Sequence, residues 1–119
     1  MAKTDYIYEN EAVMFEFYHI PQLLFIDEKY KEISSEAKIL YGIFLSKLNR
    51  FPHHDSENKA YIICSIDEVA EYLHCSKPTA GKVLDELDSQ NGVGLIEKVR
   101  RGFGTPNAIY VKDFATGLR

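Results

Sequence analysis

Two groups of residues between positions 76 and 112 have the types and spacing to bind an anionic ligand. The first group lies at the start of a predicted helix and consists of Ser76, Lys77, Thr79 and Lys82. Positive charge, hydroxyl groups and free backbone N–H groups at a helix amino terminus suit phosphate. The second group surrounds a glycine-rich loop and consists of Lys98, Arg100, Arg101, Gly102, Gly104, Asn107, Tyr110 and Lys112. Arginines beside glycines let a backbone approach a phosphate strand or a minor groove, and the asparagine and tyrosine can add uncharged hydrogen bonds.

The apolar periodicity of this region predicts the elements that position both groups. Two short amphipathic helices are expected, the first opened by a capping box of Ser65 and Glu68, the second running from Ser76 to Gln90 and ended by Asn91-Gly92. Their apolar residues recur at i, i+3, i+4 and i+7: Ile66, Val69, Ala70 and Leu73, then Ala80, Val83, Leu84 and Leu87. Two such helices separated by a tight turn form the helix-turn-helix pattern.

The elements around these helices predict the fold class. Residues 95–100 and 108–112 are candidate strands, and the loop 101–107 between them is rich in Gly, Pro and Asn, which predicts a hairpin. Upstream, a long helix capped by Ser34 or Ser35 ends near Asn49, residues 53–60 are polar and loop-like, and a short strand at 61–64 can pair with the hairpin. This order of elements is that of a winged helix, an α+β fold in which the hairpin is the wing. We expect residues 16–119 to form this domain and residues 1–15 to form an amino-terminal arm or short strand pair.

The composition limits the classes of protein to which the chain can belong. Its 119 residues support one core, and 45% hydrophobic with 27% charged residues is ordinary for a soluble domain. No run is long enough to span a bilayer and no secretory signal opens the chain, so no membrane partner and a cytoplasmic location are expected. The clusters His53-His54-Asp55 and His74-Cys75 lack paired ligand spacing, and Cys64 is expected to be a buried apolar residue. No catalytic motif is present, so neither an enzyme nor a metal or other cofactor is predicted.

The charge distribution leaves more than one interpretation open. A net charge of −4 taken alone argues against a nucleic-acid binder. However, Asp85, Glu86 and Asp88 lie towards the carboxyl end of the second helix, where they would point away from a duplex although they oppose the helix dipole. The basic residues could also be a solvated helix face and a hairpin that keeps an edge strand soluble. The aromatic, acidic first eighteen residues could pack on the domain or form a self-association surface.

Three runs of the sequence resemble a known family over roughly residues 15–114. They are Phe17-Tyr18-His19-Ile20-Pro21, Ala37-Lys38-Ile39-Leu40-Tyr41-Gly42 and Gly104-Thr105-Pro106-Asn107-Ala108-Ile109-Tyr110-Val111-Lys112. They look like the amino-terminal domain of replication initiator protein A, the RepA-N family of Gram-positive plasmids. The resemblance implies a winged-helix homodimer that binds repeated sites in a plasmid replication origin. It also implies a longer initiator whose carboxyl-terminal domain, absent here, contacts host primase.

The leading hypothesis is therefore sequence-specific binding of double-stranded DNA at a plasmid origin to initiate replication. On this chain, the helix from Ser76 would enter the major groove by its first residues, and the 98–107 hairpin would contact backbone or minor groove. One alternative is a winged-helix transcriptional regulator without a role in replication. Another is a winged-helix module that binds proteins and not DNA, which the net charge and the acidic aromatic arm favour.

Overall fold

The computed structural model describes residues 4–9, 15–102 and 104–116. Within the predicted arm, residues 4–9 and Phe15 form no regular secondary structure, and residues 1–3 and 10–14 lie outside the described residues. Phe103 of the predicted wing loop and residues 117–119 also lie outside them. The boundary between arm and domain at residues 15 and 16 therefore stays a prediction.

Within the described residues, four helices precede the wing. They are α1 (Leu23–Ile26), α2 (Ser35–Arg50), α3 (Ile66–Leu73) and α4 (Lys77–Leu87), with a single 3-10 turn at Glu28–Tyr30. Ser34 caps α2, because its hydroxyl oxygen accepts the Ala37 N–H at 3.1 Å. The capping box of α3 is confirmed: Ser65 Oγ accepts the Glu68 N–H at 3.1 Å, and the Ser65 N–H donates to Glu68 Oε1 at 3.2 Å. None of the helices in the described part of the chain combines the length and the hydropathy required to span a bilayer.

The strands form one antiparallel sheet in the order β1-β2-β4-β3. The strands are β1 (His53–His54), β2 (Ala60–Ile63), β3 (Ile96–Val99) and β4 (Ala108–Val111). The predicted wing hairpin is confirmed as β3 and β4, and the predicted pairing with the upstream strand is confirmed by Tyr61 opposite Tyr110. The prediction of a loop over 53–60 was partly wrong, because His53 pairs with Tyr61. The Asp55 carboxylate accepts the N–H groups of Glu57 and Lys59, which closes the turn between β1 and β2.

The helices cover one face of this sheet and so create the single core. Ile62 of β2, Ile96 of β3 and Ile109 of β4 are fully buried in the same cluster as Phe44 of α2 and Leu87 of α4. Successive residues of a strand face opposite sides, so Glu97 and Tyr110, which lie opposite each other, are on the outer face of the sheet. The helix-turn-helix followed by a wing confirms the predicted α+β winged-helix fold.

The carboxyl end of α4 differs from the prediction. The helix ends at Leu87, not at Gln90, and Asp88 already has an extended backbone. Asp88 is 5% exposed, and its Oδ1 accepts the Lys98 N–H at 3.3 Å, so it ends the helix by bonding to β3. The chain then folds back beneath the helix, because Gly92 donates to the Asp88 carbonyl and Val93 to the Glu86 carbonyl, both at 2.9 Å. The predicted stop at Asn91-Gly92 is thus the turn that follows the helix.

Candidate nucleic-acid interface

The amino end of α4 is capped by its own hydroxyl residues. Ser76 Oγ accepts the Thr79 N–H at 3.3 Å, and the Ser76 hydroxyl donates to Thr79 Oγ1 at 3.0 Å. Both residues are exposed. Because Thr79 accepts in this pair, its own hydroxyl hydrogen can be donated to another acceptor. The predicted cap is confirmed, and Thr79 keeps a hydroxyl donor at the first turn of the helix.

Lys77 lies at the same end but already has a partner. Its Nζ lies 2.8 Å from Asp67 Oδ1 in the first turn of α3, and both side chains are about two-thirds exposed, at 67% and 65%. The hydrogen bond with Asp67 raises the pKa of Lys77 above its ordinary value. This pair was not predicted from the sequence, although both residues lie in the predicted helix-turn-helix.

Lys98 connects the wing to α4. Its Nζ lies 3.9 Å from Asp85 Oδ1, and its backbone N–H bonds to Asp88. Asp85 is three residues from the exposed Lys82, so the two side chains are neighbours on one helix face. Lys82 forms no ion pair within residues 4–9, 15–102 and 104–116. The base of the wing and the exposed face of α4 are therefore adjacent.

The tip of the wing is exposed to solvent. Arg100, Arg101, Gly102 and Gly104 are all exposed, and no acidic group among the described residues pairs with either arginine. Gly102 has φ +124° and Gly104 has φ +77°, in the region that favours glycine. These two glycines bend the chain so that, with Arg100 and Asn107, they line one open depression.

Two of the predicted site residues lie elsewhere. Tyr110 is on the outer face of the sheet, where its ring packs 5.2 Å from that of Tyr61 and its hydroxyl donates to Asp55 Oδ2 at 3.0 Å. That hydrogen bond with Asp55 raises the pKa of Tyr110. The Lys112 N–H donates to the Leu95 carbonyl at 2.8 Å, at the base of the hairpin. Lys112 is separated from the wing tip by the length of β4, about 13 Å at ~3.3 Å per residue. Tyr110 therefore lies on a different face from α4, and Lys112 lies at the far end of β4 from the wing tip.

The acids at the end of α4 hold the fold together. Glu86 Oε1 accepts the Ser34 N–H and Glu86 Oε2 accepts the Ser34 hydroxyl, both at 2.7 Å. Glu86 therefore lies beside the amino terminus of α2, where negative charge is favourable, although it opposes the dipole of its own helix. The sequence predicted only that these acids would point away from a duplex and oppose the helix dipole, and not that Glu86 bonds to Ser34. A pairing across the fold carries no signal in the local sequence pattern.

The residues with metal-binding side chains have other roles in the structure. His53 stacks on Tyr61 with ring centroids 5.3 Å apart. Cys64 is buried, and this burial raises the pKa of its thiol to about 11. Among the described residues, no three His, Cys, Asp or Glu side chains are grouped so that they could hold a metal ion.

One family model and several solved structures match the chain. The family model described as "Replication initiator protein A (RepA) N-terminus" matches residues 16–118. The structure titled "Structure of Rep-DNA complex" is similar with a TM-score of 0.70 and 30% identity, over 92% of this chain and 84% of that one. "N-Terminal domain of DNA binding protein" is similar with a TM-score of 0.70 and 29% identity, over 93% of this chain and 85% of that one. "Structure of MDR initiator" is similar with a TM-score of 0.68 and 25% identity, over 92% of this chain and 86% of that one. No functionally curated protein matches the chain.

Proposed function

Since the chain belongs to the family of replication initiator protein A amino-terminal domains, we propose that it binds double-stranded DNA sequence-specifically. Its sites are repeats in a plasmid replication origin, and binding there initiates plasmid replication without any catalysis by this domain. The proposal is supported by the similar structure whose title names a complex of Rep with DNA.

The observation that carries the proposal is the accessible pair Arg100 and Arg101 on a wing that is attached to α4. Arginine forms charge-assisted bonds to phosphate, and neither guanidinium has a carboxylate partner in the described part of the chain. The Lys98–Asp88 bond joins β3 of this wing to the end of α4, and the partly exposed Lys98–Asp85 pair lies beside it. A duplex that meets the wing can therefore meet α4 at the same time.

Helix α4 and the wing would have different roles in DNA recognition. Thr79 and Lys82 on α4 would reach base edges in the major groove, where hydroxyl and ammonium donors distinguish one base pair from another. The arginines would hold phosphates and fix the register. The net charge of −4 does not oppose this arrangement, because Glu86 and Asp88 lie at the carboxyl end of α4 and Asp67, near its amino end, is paired with Lys77.

The test is the salt dependence of duplex binding. Each phosphate contact contributes about 0.9 to the slope of log affinity against log salt, so Arg100→Ala and Arg101→Ala should each lower the slope by about 0.9. Both should weaken binding to every sequence. Thr79→Ala and Lys82→Ala should instead change which duplex is preferred.

The matched control is Arg50→Ala. Arg50 is an exposed arginine at the end of α2 and is paired with Glu16 at 3.9 Å. Its removal changes the net charge equally but should leave the slope within error of the wild type. Unchanged slopes in both wing variants would remove this mechanism. If no duplex is retained at physiological salt, the chain is better explained as a protein-interaction module.

The proposal includes a homodimer acting in the cytoplasm, and a carboxyl-terminal domain of a longer initiator that contacts host primase. Exposed aromatic residues near the amino terminus support self-association, because Phe15, Phe17 and Tyr18 are 49%, 58% and 57% exposed. Sedimentation equilibrium of the free chain measures this directly. A monomer at all concentrations would limit dimerisation to the DNA-bound state.

A further inference from the structure

The concave surface between α3 and α4 contains an acid directly beside the proposed DNA-binding turn. It is lined by Asp67, Ala70, Glu71, His74, Ser76 and Lys77, together with Cys75. The Asp67 carboxylate lies 2.8 Å from the Lys77 ammonium, closer than any other ion pair among the described residues. The pair joins the two helices of the helix-turn-helix at the end that would face the duplex.

We propose that Asp67 is a specificity-determining residue, because it holds the Lys77 ammonium against α3 until a preferred site displaces it. This inference rests on the proposed function. In the free protein the charge of Lys77 is matched by a carboxylate, so the first turn of α4 presents less positive charge than its sequence indicates.

In non-specific binding, Lys77 would exchange its partner Asp67 for a phosphate. A phosphate that recruits Lys77 must break its bond to Asp67 and leave that carboxylate beside the anionic backbone. The gain of one charge contact is then largely cancelled by the loss of another. Lys77 should therefore contribute little to binding of a random duplex.

A preferred site offers Lys77 more than a single phosphate oxygen. Guanine presents O6 and N7 as two acceptors in the major groove, and Lys and Arg recognise this pair of atoms. Lys77 lies at the first turn of α4, the part of a recognition helix that reaches base edges. Asp67 would thus weaken binding to wrong sequences more than binding to the right one.

The experiment compares the full chain with Asp67→Asn on two probes. The first probe is a duplex selected from a random library by the wild-type protein, and the second is a random-sequence duplex. Asp67→Asn should tighten binding to the random duplex by about 2- to 5-fold and steepen its salt slope by about 0.9. Affinity for the selected duplex should change less, so the ratio of the two affinities should fall.

Two further variants make the test specific. Glu71→Gln removes an exposed acid one turn along the same helix, and Glu71 has no ion pair in the described part of the chain. It should change both affinities equally. In a Lys77→Ala background, Asp67→Asn should lose its effect on the slope, since no ammonium is left to release.

The outcomes separate this inference from the proposed function. If the wild type selects no duplex, the proposed function fails. If it selects one but Asp67→Asn leaves the affinity ratio unchanged, behaves like Glu71→Gln, or keeps its effect without Lys77, then only the role of Asp67 is overturned. Weaker binding of Asp67→Asn to both probes would also overturn it.

Discussion

The two ends of α4 both carry charged and polar residues, but the partners of those residues differ. At the carboxyl end, Glu86 bonds to Ser34 before α2 and Asp88 bonds to the backbone of β3. At the amino end, the contacts of Ser76 and Thr79 are with each other, and Lys82 is exposed. The acids at the carboxyl end make part-buried bonds to distant elements and stabilise the fold. The residues at the amino end bond locally or, like Lys77, form an exposed ion pair, so they remain available to a ligand.

This comparison also explains how an acidic chain can present a basic surface. The acids nearest the proposed interface, Asp67 and Asp85, are each paired with a lysine at 2.8 Å and 3.9 Å. The cations of the wing tip have no such partner among residues 4–9, 15–102 and 104–116. The net charge of the domain therefore says little about the proposed interface. The pattern of ion pairs decides which charges a duplex would meet there.

The largest expected effect on stability comes from Gly92→Ala, in the turn that follows the carboxyl end of α4. A Cβ at this position would lie 2.1 Å from the Glu86 carbonyl oxygen and 2.3 Å from the Asp85 carbonyl oxygen. Since backbone atoms cannot move aside cheaply, we expect the free energy of unfolding to fall by at least about 3 kcal/mol. Urea denaturation measures this change.

Gly81→Ala is the matched control on the exposed side of α4. A Cβ there would have no atom within 4 Å, and the position is inside the helix. Alanine should therefore stabilise the protein by about 0.5–1 kcal/mol. If the two variants shifted stability alike, the turn after α4 would not be the fixed feature that the structure describes.

A smaller loss is expected from Glu86→Ala. The variant removes the carboxylate that accepts both the N–H and the hydroxyl of Ser34, while the Ser34 cap of α2 remains. Because both residues are partly exposed, the expected destabilisation is about 1–2 kcal/mol. Duplex binding should keep the wild-type salt slope. A changed slope with unchanged stability would place the carboxyl end of α4 in the interface and break the comparison.

Glu36→Ala provides the control for loss of a negative charge near α2. Glu36 lies exposed in the first turn of that helix, and no hydrogen bond or ion pair joins it to another described side chain. Its loss removes only the interaction with the helix dipole, about 0.5 kcal/mol. A cost equal to that of Glu86→Ala would show that charge alone, and not the bonds to Ser34, stabilises α2.

Local patterns predicted most of the fold. The caps at Ser34, Ser65 and Ser76, and the strands of the wing, each follow from a few consecutive residues, and all of them are confirmed. These features depend on backbone groups within one turn of the side chain that satisfies them. A sequence read in short windows contains that information.

The structural features that were not predicted from the sequence depend on contacts between residues far apart along the chain. The early end of α4 is set by Asp88 bonding to Lys98, ten residues away, and the Glu86 contact with Ser34 spans fifty-two residues. The strand β1 has only two residues, and it exists because His53 pairs with Tyr61. Tyr110 was predicted as a DNA contact from its position on the hairpin. The pleat places it on the outer face of the sheet, towards Asp55, and its contact with DNA stays a prediction.

The smallest effect on stability is expected from Asp85→Asn. This variant tests whether Asp85 belongs with the acids that stabilise the fold or with the binding surface. Asp85 lies on the carboxyl half of α4, yet its partner Lys98 belongs to the wing, and the 3.9 Å pair is half exposed on the acid side. Such a pair contributes little, so stability should change by less than about 0.5 kcal/mol. Released from Asp85, Lys98 should reach a phosphate and steepen the salt slope by up to about 0.9.

Glu97→Gln tests whether this gain comes from Lys98 or from net charge. Glu97 lies opposite Tyr110 on the outer face of the sheet, so its loss removes the same charge without freeing Lys98. A steeper slope in Asp85→Asn alone would assign Asp85 to the binding surface. Equal slopes in both variants would mean that charge acts only at long range. A stability loss above about 1 kcal/mol in Asp85→Asn would exceed the contribution of an exposed ion pair. Asp85 would then belong with Glu86 and Asp88, the acids that stabilise the fold.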